Sequence, residues 1–282
     1  MAVLHDLNAD LHAHSTVSDG TLEPAVLVRR AADKGVELFA LTDHDELGGL
    51  ETAIDAAAQA GMRFVPGVEI SVTYAEQTVH IVGLGIDPKS DVLRDGLADV
   101  RSGRLRRAKE MAAALAAVGI AGALEGALAY ADNINLISRT HFARWLVATG
   151  HCEDVREVFG KYLVAGKPGY VAHRWARLSD AVSWINTAGG VAVIAHPGRY
   201  RFSETEAWAL YSEFKEAGGT AIEVATSNHT ADQVKRYAKV AREFELEASR
   251  GSDFHDPAES HAELGRVCRL PDSLLPVWHR FV

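Results

Sequence analysis

The sequence predicts an α/β fold in which mainly parallel strands close, or nearly close, into a barrel. Three observations carry this. Short apolar runs alternate with helix-like segments, there are seven such runs, and 282 residues suffice for one barrel of ordinary size. Strand–helix–strand units place neighbouring strands parallel, because each needs a crossover to return to the same edge.

The strand candidates are residues 8–13, 37–42, 63–70, 78–85, 191–195, 220–225 and 246–250. Most end in Gly, Pro, Asp, His or Ser, which suit strand ends. Helices are predicted over 22–35, with Pro24 near the start and Gly35 just past the end, and over 48–61, ending at Gly61. Residues 178–190 and 205–219 end in Gly pairs, and 230–244 follows a Ser-Asn-His loop. The alternation breaks between residues 101 and 167, where every segment is helix-like. There RSGRLRRAKEMAAALAAVGI reads as one long helix, basic and then alanine-rich, with its charges on a solvated face. The expected organisation is a barrel from residues 1–100 and 168–282 with a helical insertion at 101–167.

Composition narrows the function classes. Hydrophobic residues make up 48% and charged residues 24%, so a substantial core is expected and disorder is not. A net charge of −9 argues against wrapping long nucleic acid. It leaves room for a small phosphorylated substrate, since bound metal ions add positive charge that a residue count omits. Cys152 and Cys268 are far apart and match no metal spacing, which fits a reducing compartment. The N-terminus shows no basic-then-apolar leader and no run reaches membrane-spanning length, so a cytoplasmic protein without membrane association is expected.

Chemistry gathers at the strand ends. In DLHAHSTVSDG, His12 and His14 share one face of a strand, while Leu11 and Ala13 point the other way. LTDHD ends a strand in Asp43, His44 and Asp45. PGVEIS places Glu69 on an otherwise apolar strand, where a carboxylate is costly without a partner. VAVIAHPG ends in His196, and RGSDFHD supplies Asp253 and His255 after the last strand. His80 breaks the pattern by standing at a strand start, unless the fourth strand runs against the others. In an α/β barrel the strand C-terminal ends converge on one face, where active sites sit.

The ordered set DLHAHSTVSDG, LTDHD, PGVEIS, His80, AHP and GSDFH resembles the signatures of the polymerase and histidinol phosphatase (PHP) family, over residues 10 to 256. The resemblance implies a distorted (β/α)7 TIM-like barrel with a two- or three-metal centre at its mouth. It implies that His12, His14, Glu69 and Asp253 bind one metal, and that Glu69 bridges to a second, completed by His80 and His196. Asp19, His44 and His255 would bind a third; from the residues alone Asp19 is a turn residue of Ser-Asp-Gly. The reactive hydroxide would bridge metals held by Glu69, His80, His196 and Asp253. Imidazole and carboxylate donors without thiolate suit Mn²⁺ first, with Zn²⁺ or Fe²⁺ as alternatives, two or three per chain. Asp43 and Asp45 are candidates to orient the ligand histidines, or simple strand-end caps.

Within the family, the SDG, TDHD, R-T-H-F-A-R, Ser-Asn-His and GSDFH segments are similar to the branch acting on nucleotides. That branch holds 3′,5′-nucleotide bisphosphate phosphatases and a related 5′-to-3′ exoribonuclease. The insertion is then expected to cap the active site. Arg139, Thr140, His141, Asn228 and His229 are the candidate substrate contacts, at helix starts where backbone amides favour anions. Arg144, Arg199, Arg201 and Arg250 are further cations, each with a structural alternative, and Trp175 is one of several aromatic residues able to stack on a base. The expected activity is removal of the 3′-phosphate from 3′,5′-bisphosphonucleotides such as pAp, giving AMP and phosphate. The alternative is a 5′-3′ exonuclease on short 5′-phosphorylated RNA or DNA oligonucleotides. A non-catalytic metal-binding module is disfavoured by the complete ligand set, and histidinol phosphate phosphatase activity by the SDG and SNH segments. No obligatory protein partner is expected.

Overall fold

The computed structural model describes residues 5–131, 133–260 and 262–282. Seven strands follow one another around a single sheet in chain order: β1 (Ala9–Asp10), β2 (Leu38–Leu41), β3 (Arg63–Tyr74), β4 (Gln77–Leu84), β5 (Val191–Ile194), β6 (Ala221–Thr226) and β7 (Glu247–Gly251). All neighbours pair in parallel except β4, which runs antiparallel to both β3 and β5. The barrel nearly closes where the chain beyond β1 meets the chain at and beyond β7. Leu11 N donates to Arg250 O at 3.1 Å, and His14 N to Phe254 O at 2.9 Å. The approach needs a glycine: a Cβ on Gly251 would lie 2.3 Å from His12 Cβ.

The reversal of β4 comes from a two-residue turn. Ala75 and Glu76 both adopt left-handed φ values, 43° and 59°, the turn geometry whose twist suits a hairpin. This pairs Tyr74 with Gln77 and sets Ser71 opposite His80. The start of β4 therefore lies at the same barrel end as the C-termini of the parallel strands. That explains why His80, at a strand start, still joins the residues from strand ends.

Helices α1 (Pro24–Asp33) and α2 (Leu50–Ala60) follow β1 and β2, and α3 (Asp91–Ser102) follows β4. Then come α4 (Arg104–Ala116), α5 (Ala123–Leu128), α6 (Arg139–Ala148) and the single turn α7 (Val155–Val158). The barrel resumes with α8 (Leu178–Thr187), α9 (Glu204–Glu216) and α10 (Ala231–Glu243). Local chemistry sets the ends: Pro24 opens α1, Gly61 closes α2 in a left-handed conformation, and Ser203/Glu206 and Thr230/Gln233 form capping boxes on α9 and α10. The barrel core is fully buried at Leu11, Phe39, Ile70, Ile81, Phe214 and Trp278. Each such side chain contributes roughly 1.5–3 kcal/mol.

One sequence expectation changes. The long basic helix is two helices, broken at Gly103, and the first of them begins as early as Asp91. His173 packs so close to Gly103 that a Cβ there would meet its Cε1 at 2.4 Å. The break turns the basic run inward, and Arg104 and Arg107 are buried rather than solvated. Beyond it, Met111, Leu115, Phe142, Leu146, Val158 and Leu163 belong to a second apolar cluster, separate from that of the barrel; Asp132, in the same stretch, lies outside the described residues. Among the described residues no helix is long and apolar enough to cross a membrane.

Candidate metal centre

Every histidine and carboxylate singled out as a ligand in the sequence lies at one barrel mouth. His12, His14 and Asp19 follow β1, His44 follows β2, His196 follows β5, and Asp253 and His255 follow β7; Glu69 and His80 sit on β3 and β4. Glu69, wholly buried, is the hub. Its Oε2 lies 3.3 Å from His12 Nε2, 3.3 Å from His14 Nε2 and 3.0 Å from His44 Nδ1. Its Oε1 lies 2.9 Å from His80 Nδ1 and 3.0 Å from His196 Nε2. Asp253 Oδ1 lies 3.2 Å from His14 Nε2 and 3.5 Å from His12 Nε2, and Asp19 Oδ1 lies 3.3 Å from His255 Nε2.

These atoms form three overlapping groups: His12, His14, Glu69 and Asp253; His44, Glu69 and His80; and His14, Asp19, His44 and His255. His196 stands beside the second, its Nε2 3.3 Å from His80 Nδ1. His14 and His44 thus each face two groups, a sharing that linear motifs do not reveal.

The donor set fits divalent cations. Buried atoms at the focus lack hydrogen-bond partners among the described residues: His12 Nε2, His14 Nε2, His44 Nδ1, Glu69 Oε2 and Asp19 Oδ1. Unpaired buried polar atoms are expensive, so this many in one place need a common partner. Donors 2.0–2.2 Å from one ion lie about 3–3.5 Å from each other, the spacing found around Glu69. Electrostatics keep the carboxylates charged and split the histidines: against burial, Glu69 and Asp19 hold His44 up at about 9, so a cation entering there displaces a proton. Burial opposes ionisation of Glu69, yet His80, His44 and His12 hold its carboxyl well below the usual range. Asp253 is lowered likewise, by Arg199 and His12, against the same burial. Burial and the neighbouring His255 and His44 push His14 down to about 3, which leaves it neutral and able to offer a lone pair.

Three residues beside the cluster hold left-handed backbones without being glycine: Asp45 at φ 52°, His196 at 26° and Asp253 at 54°. Such conformations cost of order 1–3 kcal/mol and persist only when the surroundings impose them. Hydrogen bonds hold each of them: Asp45 N donates to Glu69 O, Asp253 N to His12 O and His196 N to Glu223 Oε2. Asp45 accepts from Ser71 N at 2.7 Å and Ser71 Oγ at 2.9 Å and is ion-paired with Arg104. Asp43 accepts from Ser15 N, Ser15 Oγ and Ser18 Oγ. Both anchor the chain next to ligands, and among the described residues their side chains bond serines and an arginine rather than histidines. The carboxylate that holds a ligand histidine by the ring nitrogen facing away from the cluster is Glu223 on β6, which the sequence reading missed. His12 Nδ1 donates to its Oε1 at 2.8 Å, and His196 N to its Oε2 at 2.5 Å. Its signal was visible: a carboxylate inside the apolar run AIEVAT, the same anomaly that marked Glu69.

Two clefts leave the cluster. The smaller, about 180 Å³, runs from Asp19, His44 and His80 to Arg104, Arg107, Arg139 and Trp175. Burial and the nearby Arg139 and Arg104 bring Arg107 down to about 9. Among the described residues neither Arg107 nor Arg139 is ion-paired to a carboxylate; Arg107 Nε donates to Val171 O and Arg139 Nη1 to Leu163 O. The larger cleft, about 1030 Å³, is bordered by Thr140, Arg156, Phe159, Asn228 and His229. Arg199, ion-paired with Asp253, stands where the two meet. Of the expected substrate contacts, Arg139 and Thr140 line the first cleft, and Thr140, Asn228 and His229 the second. His141 is buried, with Ser138 N donating to its Nδ1. His229 uses both ring nitrogens on backbone, donating to Val224 O and accepting from Gly198 N. Arg144 and Arg250 are structural: Arg144 binds Asp19 O and Glu259, and Arg250 reaches Asn8.

The PHP domain model matches residues 10–229. The 3′,5′-nucleoside bisphosphate phosphatase of Chromobacterium violaceum is 52% identical over 271 residues, covering 96% of this chain and 95% of that protein. A 5′-3′ exoribonuclease of Haemophilus influenzae is 41% identical over 272 residues, covering 96% of this chain and 98% of that protein. A solved Chromobacterium violaceum structure, described as an amidohydrolase with bound sulfate and no metal, superposes with a TM-score of 0.95 at 51% identity, covering 97% of this chain and 95% of that one. The domain match stops short of Asp253 and His255, which barrel closure returns to the cluster. With its ordered motifs, its seven-stranded barrel and these relatives, the chain belongs to the PHP domain family.

Proposed function

We propose that this protein is a metal-dependent phosphatase that removes the 3′-phosphate from 3′,5′-bisphosphonucleotides such as pAp, giving AMP and phosphate. The observation that carries the reading is the arginine cleft beside the His/Asp/Glu cluster. Arg107, buried, and Arg139, half-buried, are like charges without a carboxylate partner among the described residues, and a phosphate dianion is the ligand that relieves them; Arg104 beside them is already paired with Asp45. The similarity to a protein named for this activity supports the same reading.

In this account His12, His14, Glu69 and Asp253 hold one divalent ion, Glu69, His80 and His196 a second, and Asp19, His44 and His255 a third. Bound there, Mn²⁺ (or Zn²⁺ or Fe²⁺) would neutralise phosphate oxygens and lower the pKa of water toward neutrality. The chain's own residues do the rest. Arg107 and Arg139 receive the 5′-phosphate and so orient the 3′-phosphate toward the cluster. Trp175, held by its indole N–H to Thr78 Oγ1 at 3.2 Å, offers the flat wall of that cleft. Thr140 and Arg199 line the gap between the phosphates. Residues 101–167 act as the cap, since the three arginines and Phe159 come from them. Two free cysteines accord with a cytoplasmic setting.

A second reading is favoured by the larger cleft, which opens from the same cluster past Asn228 and Arg156. It gives room for a strand continuing beyond the cleaved phosphate, as a 5′-3′ exonuclease on short 5′-phosphorylated oligonucleotides requires. Release of phosphate and AMP from pAp by Mn²⁺-loaded protein tests the first reading. A series of 5′-phosphorylated oligonucleotides tests the second: rates that rise with length make the nuclease the main activity.

A further inference from the structure

Glu223 lies 1% exposed on β6, outside every motif that marks the cluster. The β6–β7 register shifts between Glu223 and Ala225, an irregularity that re-aims a strand residue. Its two oxygens serve two different walls of the centre. Oε1 accepts from His12 Nδ1, which leaves Nε2 as the lone-pair nitrogen facing Glu69 and Asp253. Oε2 accepts from the backbone N–H of His196, whose φ of 26° no ordinary residue adopts unaided. That turn directs His196 Nε2 at Glu69 Oε1.

We propose that Glu223 is a positioning residue that sets two metal positions at once, the first through the tautomer of His12 and the second through the backbone of His196. The proposal rests on the ligand assignment above, but not on the identity of the substrate. A carboxylate behind a ligand imidazole commonly changes metal affinity 10–100-fold on removal. Here the unusual consequence is coupling: one substitution weakens two sites that share only Glu69 among their ligands. Among the described residues the third group, Asp19, His44 and His255, makes no hydrogen bond or ion pair with Glu223 and should keep its affinity.

The test is a Co²⁺ titration of the full-length chain followed by visible absorption, with metal content measured after dialysis. Wild type, Glu223→Gln, His12→Ala and His196→Ala are compared. His12→Ala and His196→Ala identify which binding step belongs to which site. The expected result is that Glu223→Gln weakens both of those steps by roughly 10–100-fold and spares the remaining one. Wild-type affinity throughout, or weakening of the His12 step alone, overturns the proposal. If Glu223→Gln does not give native circular dichroism, Glu223→Asp, which keeps the charge but shortens the reach, is read by the same criteria. Failure to hydrolyse pAp would remove the proposed substrate and leave this titration unaffected.

Discussion

Arg104, at the start of α4, is ion-paired with Asp45, the residue that follows His44 at the end of β2. The pair ties the helical segment to the metal-bearing loop, and both side chains are buried. Removing one partner strands the other charge. Arg104→Ala is expected to cost about 3–5 kcal/mol in urea unfolding. A loss below 1 kcal/mol would mean that Ser71 alone satisfies Asp45.

The ligand set can be tested without knowing the substrate. His14→Ala and Asp253→Ala are expected to abolish turnover while far-ultraviolet circular dichroism stays native. Both side chains face the focus rather than the barrel core, so the strands keep their packing. Retained turnover with metals bound would show that the assignment is wrong.

Metal removal should lower stability as well as activity. A site occupied at 100 times its dissociation constant adds about 2.7 kcal/mol to folding. Melting with Mn²⁺ and with a chelator is expected to differ by several degrees, with the metal-loaded form higher. Equal melting temperatures would argue that no ion binds the folded cluster tightly.

A pH effect is expected away from the centre. Glu263 lies 2.6 Å from Arg30 Nη2 and 3.2 Å from Lys34 Nζ, and the hydrogen bond from Arg30 holds its carboxyl at about 2. The folded value is depressed below an unfolded value of about 4.3, so the stabilisation is present above pH ~4.3 and fades as pH falls toward the folded value. Glu263→Gln should therefore be less stable than wild type near neutrality, by on the order of 1 kcal/mol. The gap should shrink steadily as urea unfolding is repeated from pH 4 downward. A constant gap would assign the effect to packing.

Much of the fold was legible because strand ends, glycines and caps act locally. All seven strands fall within the predicted segments or overlap them, although β1 keeps only Ala9–Asp10 as regular strand. The direction of β4 was not legible, because its turn uses Ala75 and Glu76 where Asn-Gly would have announced a hairpin. The break at Gly103 was hidden for another reason: it depends on His173, seventy residues away in the sequence. Seven of the nine ligand candidates were legible as costly residues at strand ends; His80 stood at a strand start, and Asp19 came only from the family resemblance, since from the residues alone it is a turn residue of Ser-Asp-Gly. Glu223 gave the same signal mid-strand and was passed over. In the sequence Arg104 and Arg107 read as part of a solvated face, because burial of a basic run depends on where the helix breaks.

The central claim is that the arginine cleft reads a second phosphate. The most direct measurement is the ratio of kcat/KM for pAp to that for 3′-AMP, in wild type and in Arg107→Ala. Charge-assisted hydrogen bonds to a phosphate are worth about 1.5–3 kcal/mol each. Wild type is expected to prefer pAp by at least roughly 100-fold, and Arg107→Ala to lose roughly 10- to 100-fold on pAp with little change on 3′-AMP. Equal rates on the two substrates in wild type, or an equal loss on both in the variant, would contradict the account.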